Sequence, residues 1–277
     1  MDRPALETLN QMLGNTRNAA AFEWALNGGA LEFRDNTTFA LGGAKASCTL
    51  GDSKPQSYTA INARAGDVLQ IDRLIDGRFL YIAIAGGIAC EAVLGSRSTC
   101  LAGGFGGIDG RRLQTGDQIE TGVVDRRGRH QVVDALPLHL QPPRRTDAIR
   151  FIARHFDAES TAREFAAATY TISAASDRTG FRLDGSTLAG GRAVTSEAMC
   201  PGAIQLPPGG TAIVLMADAP TIGGYQLVGS VITADLASLA QKVTGERVTF
   251  ADSTVRAAQA ELNYHEEKLR AVAAWAL

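Results

Sequence analysis

Lysine is scarce in this chain of 277 residues, occurring only at Lys45, Lys54, Lys242 and Lys268. None follows a glycine. That excludes the G-x-x-x-x-G-K-[ST] phosphate loop, whose lysine must reach the β- and γ-phosphates. Cysteine is also sparse: Cys48, Cys90, Cys100 and Cys200 form no C-x-x-C pair. Such scatter argues against a zinc site and a disulfide scaffold and fits a reducing cytoplasm. The four histidines, His130, His139, His155 and His265, have no ligand spacing, so a metal centre is not expected. Charge of one sign is missing too. A net charge of −2 and a pI near 6.1 remove the electrostatic case for nucleic acid. No apolar run approaches the roughly 20 residues of a membrane span. The start, "MDRPALETLNQ", has no basic segment followed by an apolar one, so no signal peptide is read there. Cytoplasmic residence, with neither membrane nor nucleic acid as partner, is the expectation.

What remains is ordinary globular composition, 45% hydrophobic and 20% charged, enough for one large domain or two of usual size. The basic residues are mostly arginine, whose planar fork of donors suits carboxylates and phosphates. Residues 4–13 place Leu6, Leu9 and Leu13 at helical spacing, with Asp2 as N-cap and Gly14–Asn15 as the stop. Short β-prone runs follow: "AAFEWAL", "ALEFRD", "TTFALGG", "ASCTLGD", "DVLQID" and "FLYIAIAGG". Turn signals recur every 8–12 residues with no helices between, which indicates an antiparallel sandwich or barrel and not a Rossmann or TIM arrangement.

One device recurs: glycine, an acid, a variable residue, then alternating apolar positions. It appears at 66–71, 116–122 and 245–250 and is expected to turn the chain into a strand each time. The prolines at 142–143 favour an extended connector, so the boundary is set there, with domains at 1–143 and 144–277. "DRRGRH" (125–130) reads as a solvated hairpin tip. The second half opens with a helix capped by Asp157 and continues in strands. "ADLASLAQKV" reads as a short helix. An amphipathic C-terminal helix closes the chain, with Val255, Leu262 and Leu269 seven apart and Glu266–Arg270 at i, i+4.

Residues 94–113, "LGSRSTCLAGGFGGIDGRRL", hold six glycines. The dinucleotide fingerprint fails because the third glycine position is Asp109, and the nucleophile elbow G-x-S-x-G is absent. "GRRLQTGDQI" reads as strand-like. Arg97, Phe105, Ile108 and Arg111–Arg112 interrupt any flexible-linker pattern. The segment is therefore a structured loop whose backbone approaches something closely or bends sharply several times.

The run "YIAIAGGI…VLGSRSTCLAGGFGGIDGRRLQTGD" resembles the family labelled allophanate hydrolase subunit 2. This is the biotin-dependent-carboxyltransferase-like family that includes the C subunit of the bacterial ATP-dependent 5-oxoprolinase. The likeness continues through "SDRTGFRL" (176–183), "SEAMCPGAIQLPPGG" (196–210), "ADAPTIGGY" (217–225) and "VITADLASLAQ" (231–241), over nearly the whole chain. It implies a mostly β protein with two cyclophilin-like β-barrels in tandem, a few short helices and a C-terminal helix. Relative to the family pattern, the first domain is expected to lack the usual N-terminal strand. Ala219 stands where the family has arginine, Ile222 where it has threonine and Leu227 where it has a basic residue.

The resemblance implies a hydrolase component that opens the lactam of 5-oxoproline to glutamate. The implied partners are a Kip-inhibitor-like protein (the B subunit) and a third component (the A subunit), with ATP bound here or on one of them. Two alternatives stay open: carboxyl transfer to urea or a related amide, and a non-catalytic antagonist of a kinase inhibitor. Biotin would arrive on another protein, since no A/V-M-K-M motif is present.

Asp218 and Arg97 are the catalytic candidates. Asp218 follows "IVLMA", a buried strand that would desolvate its carboxyl and make it a general base. Arg97 lies among Ser96, Ser98 and Thr99, a set able to bind a carboxylate or phosphoryl oxygen. The alternative is an arginine paired with an acid and hydroxyls serving turn amides. Asp177, Arg178, Arg182, Glu197, Gln205 and Tyr225 complete the substrate-binding candidates; for Asp177–Arg178 a hairpin lock is the competing role.

Overall fold

A computed structural model describes the chain apart from residues 124–131, 143–145, 147, 155–158, 190 and 276–277. The basic tip at 125–130, His130, His155 and the Asp157 cap lie outside the described residues. The chain forms two compact units, an N-terminal one of Arg3–Pro142 with Glu267–Leu277 and a C-terminal one of Met1–Asp2 with Pro143–Glu266.

In the N-terminal unit, α1 (Arg3–Met12) forms over the expected stretch. Gly14, at φ 71°, ends it by taking the left-handed turn that lets Gly14 N–H reach Gln11 O and Asn15 N–H reach Asn10 O. The strands are β1 (Phe22–Ala25), β2 (Gly29–Glu32), β3 (Thr37–Leu50), β4 (Ala60–Ala63) and β5 (Val68–Ile84). They make a sheet ordered β1-β5-β3-β4, with β2 also on β5.

Two pairs of expected short strands are single long ones. "TTFALGG" and "ASCTLGD" join as β3, and "DVLQID" and "FLYIAIA" join as β5. The glycines read as turns are kinks: Gly43 (φ 83°) and Gly77 (φ 96°) bend the ladder, which slips register between Gly43 and Cys48. β5 alternates buried and exposed at first, then is buried on both faces from Gly77 onward. The apolar run "FLYIAI" follows from that double cover. Phe22, Phe39, Leu41, Leu69, Ile71, Leu80 and Ile82 form the core.

The C-terminal unit contains β6 (Ala148–Ala153), α2 (Glu159–Ala167), β7 (Thr169–Ile172), β8 (Gly180–Gly185), β9 (Ala193–Ala198), β10 (Ala203–Leu206), β11 (Ile213–Leu215), β12 (Ile222–Val231) and β13 (Arg247–Asp252). Their order, β10-β11-β8-β7-β13-β6-β12-β9 with β12 also on β10, closes a seven-stranded barrel and leaves β9 as an extra strand on β12. Closure removes the free edges of the seven. Aromatic rings fill the interior: Phe165 lies 5.3 Å from Phe151, 5.2 Å from Tyr170 and 4.5 Å from Phe250. The mostly β architecture expected from the sequence is thus found.

A 3-10 turn (Thr233–Asp235) leads into α3 (Leu236–Ala240), and α4 (Val255–Trp275) is the expected terminal helix. The heptad positions Val255 and Leu262 are exposed, however, and Val272 is the helix's buried residue. Arg150 of β6 grips Asp235 with two nitrogens and reaches Glu261 of α4 at 2.7 Å. Lys268 donates to Gln141 O at 2.7 Å, and burial lowers its pKa. No described helix is long and apolar enough to cross a membrane.

Candidate functional site

The glycine-rich segment begins where β5 ends. Asn10, fully buried on α1, accepts from Asn15, which donates to Ile84 O at 2.8 Å and receives Gly86 N–H at 2.8 Å. This buried amide chain fixes the point where the backbone leaves the sheet. The segment is also clasped at its base. Ala89 N–H meets Glu120 O and Gly122 N–H meets Gly87 O, both at 2.9 Å. A Cβ on Gly86 would stand 2.2 Å from Gly122 O, so neither approach tolerates a side chain.

Within the clasp the backbone packs on itself. A Cβ at Gly106 would lie 2.3 Å from Ser98 O, one at Gly107 1.9 Å from Thr99 Oγ1, and one at Gly110 2.2 Å from Gly104 O. Gly104, Gly106, Gly107, Asp109 and Gly110 all have positive φ. The glycines thus serve close internal approach as well as repeated bends. Arg111 rivets the far side, donating to both oxygens of Asp117 at 2.8 and 2.9 Å and to Asp109 at 3.3 Å. Asp117 also accepts Gln114 N–H, and these bonds, the Arg111 pair first, hold its carboxyl down at about 2. The expected strand through 110–119 is absent; of the three glycine–acid devices, those at 66–71 and 245–250 enter strands and that at 116–122 does not.

Among the described residues Arg97 meets no acid. Its Nε donates to Cys90 O at 3.0 Å, and the side chain is exposed, its terminal nitrogens unbonded among the described residues. Ser96 Oγ accepts Ser98 N–H at 3.1 Å, the turn-amide role. Thr99 covers Gly107.

The remaining candidates all belong to the C-terminal unit. Asp177 Oδ1 accepts the N–H groups of Thr179 and Gly180 at 2.8 and 3.2 Å, locking the β7–β8 turn. Arg178 pairs with Asp218: Nε to Oδ2 at 2.8 Å and Nη2 to Oδ1 at 2.9 Å. Asp218 N–H also donates to Arg178 O. The lone desolvated carboxyl expected at the end of β11 instead accepts from Arg178 on both oxygens. A base role requires opening that pair.

Glu197 of β9 is held in the same way, by Arg154 Nη1 at 2.8 and 3.1 Å. It lies opposite Gly223 of β12, and Met199 N–H bonds Thr221 O, tying β9 to the loop that carries Asp218. Gln205 lies opposite Ile213, which lies opposite Arg182, and on its other side Leu227. Directly opposed residues share a face. Arg182, Ile213, Gln205 and Leu227 therefore form one row across the outside of the barrel, away from the interior row of Phe181, Val214 and Ile204. Tyr225 is 42% exposed on β12, beside β9.

Register and contacts thus bring Glu197 and Gln205 together around Met199 and Gly223, and the Met199–Thr221 bond ties them to the loop on which Asp218 pairs with Arg178, with Asp177 serving its turn and Arg182 two strands from Gln205. Sequence reading missed Arg154, Met199 and Gly223, and in the other unit Asn10, Asn15, Arg111 and Asp117. The Arg154–Glu197 partners are 43 residues apart, so nothing in the local pattern signals them. Among the described residues no group of three His, Cys, Asp or Glu is placed to hold a metal.

A closed barrel bearing this charged outer patch, with a separate riveted glycine segment, defines the class. The chain belongs to the family of the carboxyltransferase domain, subdomain A and B, whose model matches residues 1–252. It is 35% identical to the C subunit of 5-oxoprolinase from Haemophilus influenzae, over 90% of this chain and 80% of that protein. To the C subunit of 5-oxoprolinase from Escherichia coli it is 33% identical, over 96% of this chain and 87% of that one. Among solved structures, the Kluyveromyces lactis urea carboxylase matches with a TM-score of 0.88 at 26% identity, covering 98% of this chain. This chain corresponds to 26% of that larger one.

Proposed function

We propose that the chain is a cytoplasmic component of an ATP-dependent 5-oxoprolinase, acting with a Kip-inhibitor-like B subunit and with an A subunit. The observation that carries this reading is the likeness to two 5-oxoprolinase C subunits over nearly the full length of this chain and most of theirs. The reaction adds water across the lactam C–N bond of 5-oxoproline to give glutamate. Opening the ring is uphill enough to be coupled to ATP. We place ATP on one of the partner proteins, because the glycine-rich segment does not fit a nucleotide. Its close approaches are to its own residues, and it contains no lysine.

In this reading the C-terminal patch receives the lactam, and in the N-terminal unit Arg97, with Ser96, Ser98 and Thr99, binds an anion on its own segment. Asp218 serves as the base only when Arg178 is drawn to the substrate. Co-purification with the products of adjacent genes, assayed with and without ATP and 5-oxoproline, tests the reading. Turnover is expected only in the complete, ATP-supplied complex, and Arg97→Ala and Asp218→Ala are expected to abolish it. Turnover that survives both substitutions removes these residues from the chemistry. Assembly without turnover favours the non-catalytic antagonist.

A second reading rests on the match to urea carboxylase over 98% of this chain. There the same patch takes urea or a related amide and receives a carboxyl group from biotin carried on another protein. ATP-independent carboxylation of an amide by a carboxybiotin donor would establish it.

A further inference from the structure

We propose that Gln205 reads a cis-amide, the edge shared by a ring lactam and a ureido group, and so sets the ligand specificity of the C-terminal patch. The inference rests on the reading that this patch receives the substrate. Gln205 is only 6% exposed, yet among the described residues its carboxamide has one partner, the Met199 thioether at 3.4 Å. A thioether is a weak acceptor, so that contact leaves most of the hydrogen-bonding capacity of the amide unused. Gln226 has a buried carbonyl oxygen with no partner among the described residues, but it shares a face with fully buried Leu206. Gln205 differs in its surroundings: it lies beside Gly223, across from which stands Glu197, 35% exposed.

Gly223 leaves room for the carboxamide. A Cβ there would stand 2.4 Å from Gln205 Nε2 and 3.0 Å from Met199 Cγ. The patch therefore holds a fixed N–H donor and C=O acceptor side by side, at a rim that solvent reaches. The complement of a carboxamide edge is a group presenting N–H and C=O on one edge in the same way. A lactam ring or a cyclic urea is locked in that cis geometry, and the two amides pair through two parallel hydrogen bonds. An ordinary peptide amide is trans and presents the two groups on opposite edges, so it pairs through one at most. Arg182, exposed in the same outer row two strand spacings away (about 9–10 Å), can meet a carboxylate attached to the ring. Leu227, on the other side of Gln205, offers an apolar wall for ring methylenes.

Titration calorimetry on the full chain tests this with three probes: 5-oxoproline, N-methyl-5-oxoproline and 2-imidazolidinone. The unmethylated rings are expected to bind, and N-methylation to weaken binding by about tenfold or more, because it removes the donor. Gln205→Met, which keeps the shape and loses the amide, is expected to weaken both unmethylated probes by about tenfold with the unfolding temperature preserved. Gly223→Ala is expected to do the same by displacing an intact Gln205. Arg182→Gln should weaken 5-oxoproline and leave 2-imidazolidinone unchanged, separating a carboxylated lactam from a bare ureido ligand. Equal binding of the N-methyl probe, wild-type affinity in Gln205→Met, or no binding of either unmethylated probe overturns the proposal. Turnover by the complete complex with an unchanged KM in Gln205→Met sinks this inference and leaves the proposed function standing. Probe binding without turnover does the reverse.

Discussion

In the N-terminal unit the charged loop is held largely by neighbours in sequence: Arg111 and Asp117 are six residues apart, and Gly106, Gly107 and Gly110 pack against residues 98–105. In the C-terminal unit the pairs Arg178–Asp218 and Arg154–Glu197 join residues 40 and 43 positions apart, on elements that a closed barrel brings together. The first arrangement needs its own segment, the clasp of residues 86–89 on 120–122 at its base, and the Asn10–Asn15 anchor. The second exists only when the barrel has formed. Local closure costs less chain entropy than distant closure. Rigidity in one unit is therefore a property of a segment, and in the other a property of the fold.

The largest test of that contrast is core truncation. Phe165→Ala empties the centre of the barrel's aromatic cluster and is expected to cost about 3–5 kcal/mol in denaturant unfolding. Phe105→Ala, in the glycine-rich segment and 43% exposed, should cost less than about 1 kcal/mol. Comparable losses would mean the segment depends on a packed core after all.

Next in size come the glycines. Gly110→Ala forces a Cβ against the Gly104 backbone at positive φ and should destabilise by about 2 kcal/mol or more. Gly95→Ala also has positive φ (80°) but open space around it, and should cost about 1 kcal/mol. Hydrogen exchange at Cys100 and Gly104 should rise in the first variant and stay near wild type in the second.

Asp218→Ala leaves Arg178 without its carboxylate. The pair is partly solvated, at 23% and 19% exposure, so the expected loss is about 1–2 kcal/mol, read in the unfolding of the C-terminal unit. The smallest effect is an acid titration. Asp117 has its carboxyl held at about 2, against about 3.9 for a free aspartate. Its pKa is depressed in the fold, so its stabilisation is complete above about pH 4 and is lost as pH falls through 2. Protection of the Gln114 amide, followed from pH 5 to pH 2, should decay over that interval. In Asp117→Asn it should be low and flat throughout.

Much of the fold was legible in the chain. α1 and α4 follow from spacing, and the strands of the second half from short β-prone runs between glycine and proline turns. What misled were glycines that bend a strand without ending it: Gly43 and Gly77 are read as breaks but lie inside β3 and β5. A positive-φ glycine has the same sequence signature in a turn and in a bulge, and only the ladder on either side decides between them. The candidate site was legible as a set of residues and illegible as a set of pairings. Asp218 was read as a solitary base because nothing near it in sequence announces Arg178. Gln205 is legible as a substrate-binding candidate, but its neighbours Met199, just after β9, and Gly223 of β12 are set by the barrel.

By itself the sequence determined the β-rich architecture, the helix at each end and the rigidity of residues 94–113, because turn chemistry, apolar spacing and glycine content act over a few residues. Tertiary structure alone decided which arginine neutralises which carboxylate, and which buried amide is left with only a thioether for a partner. Those outcomes depend on register across the closed barrel, where a shift of one residue exchanges the two faces of a strand.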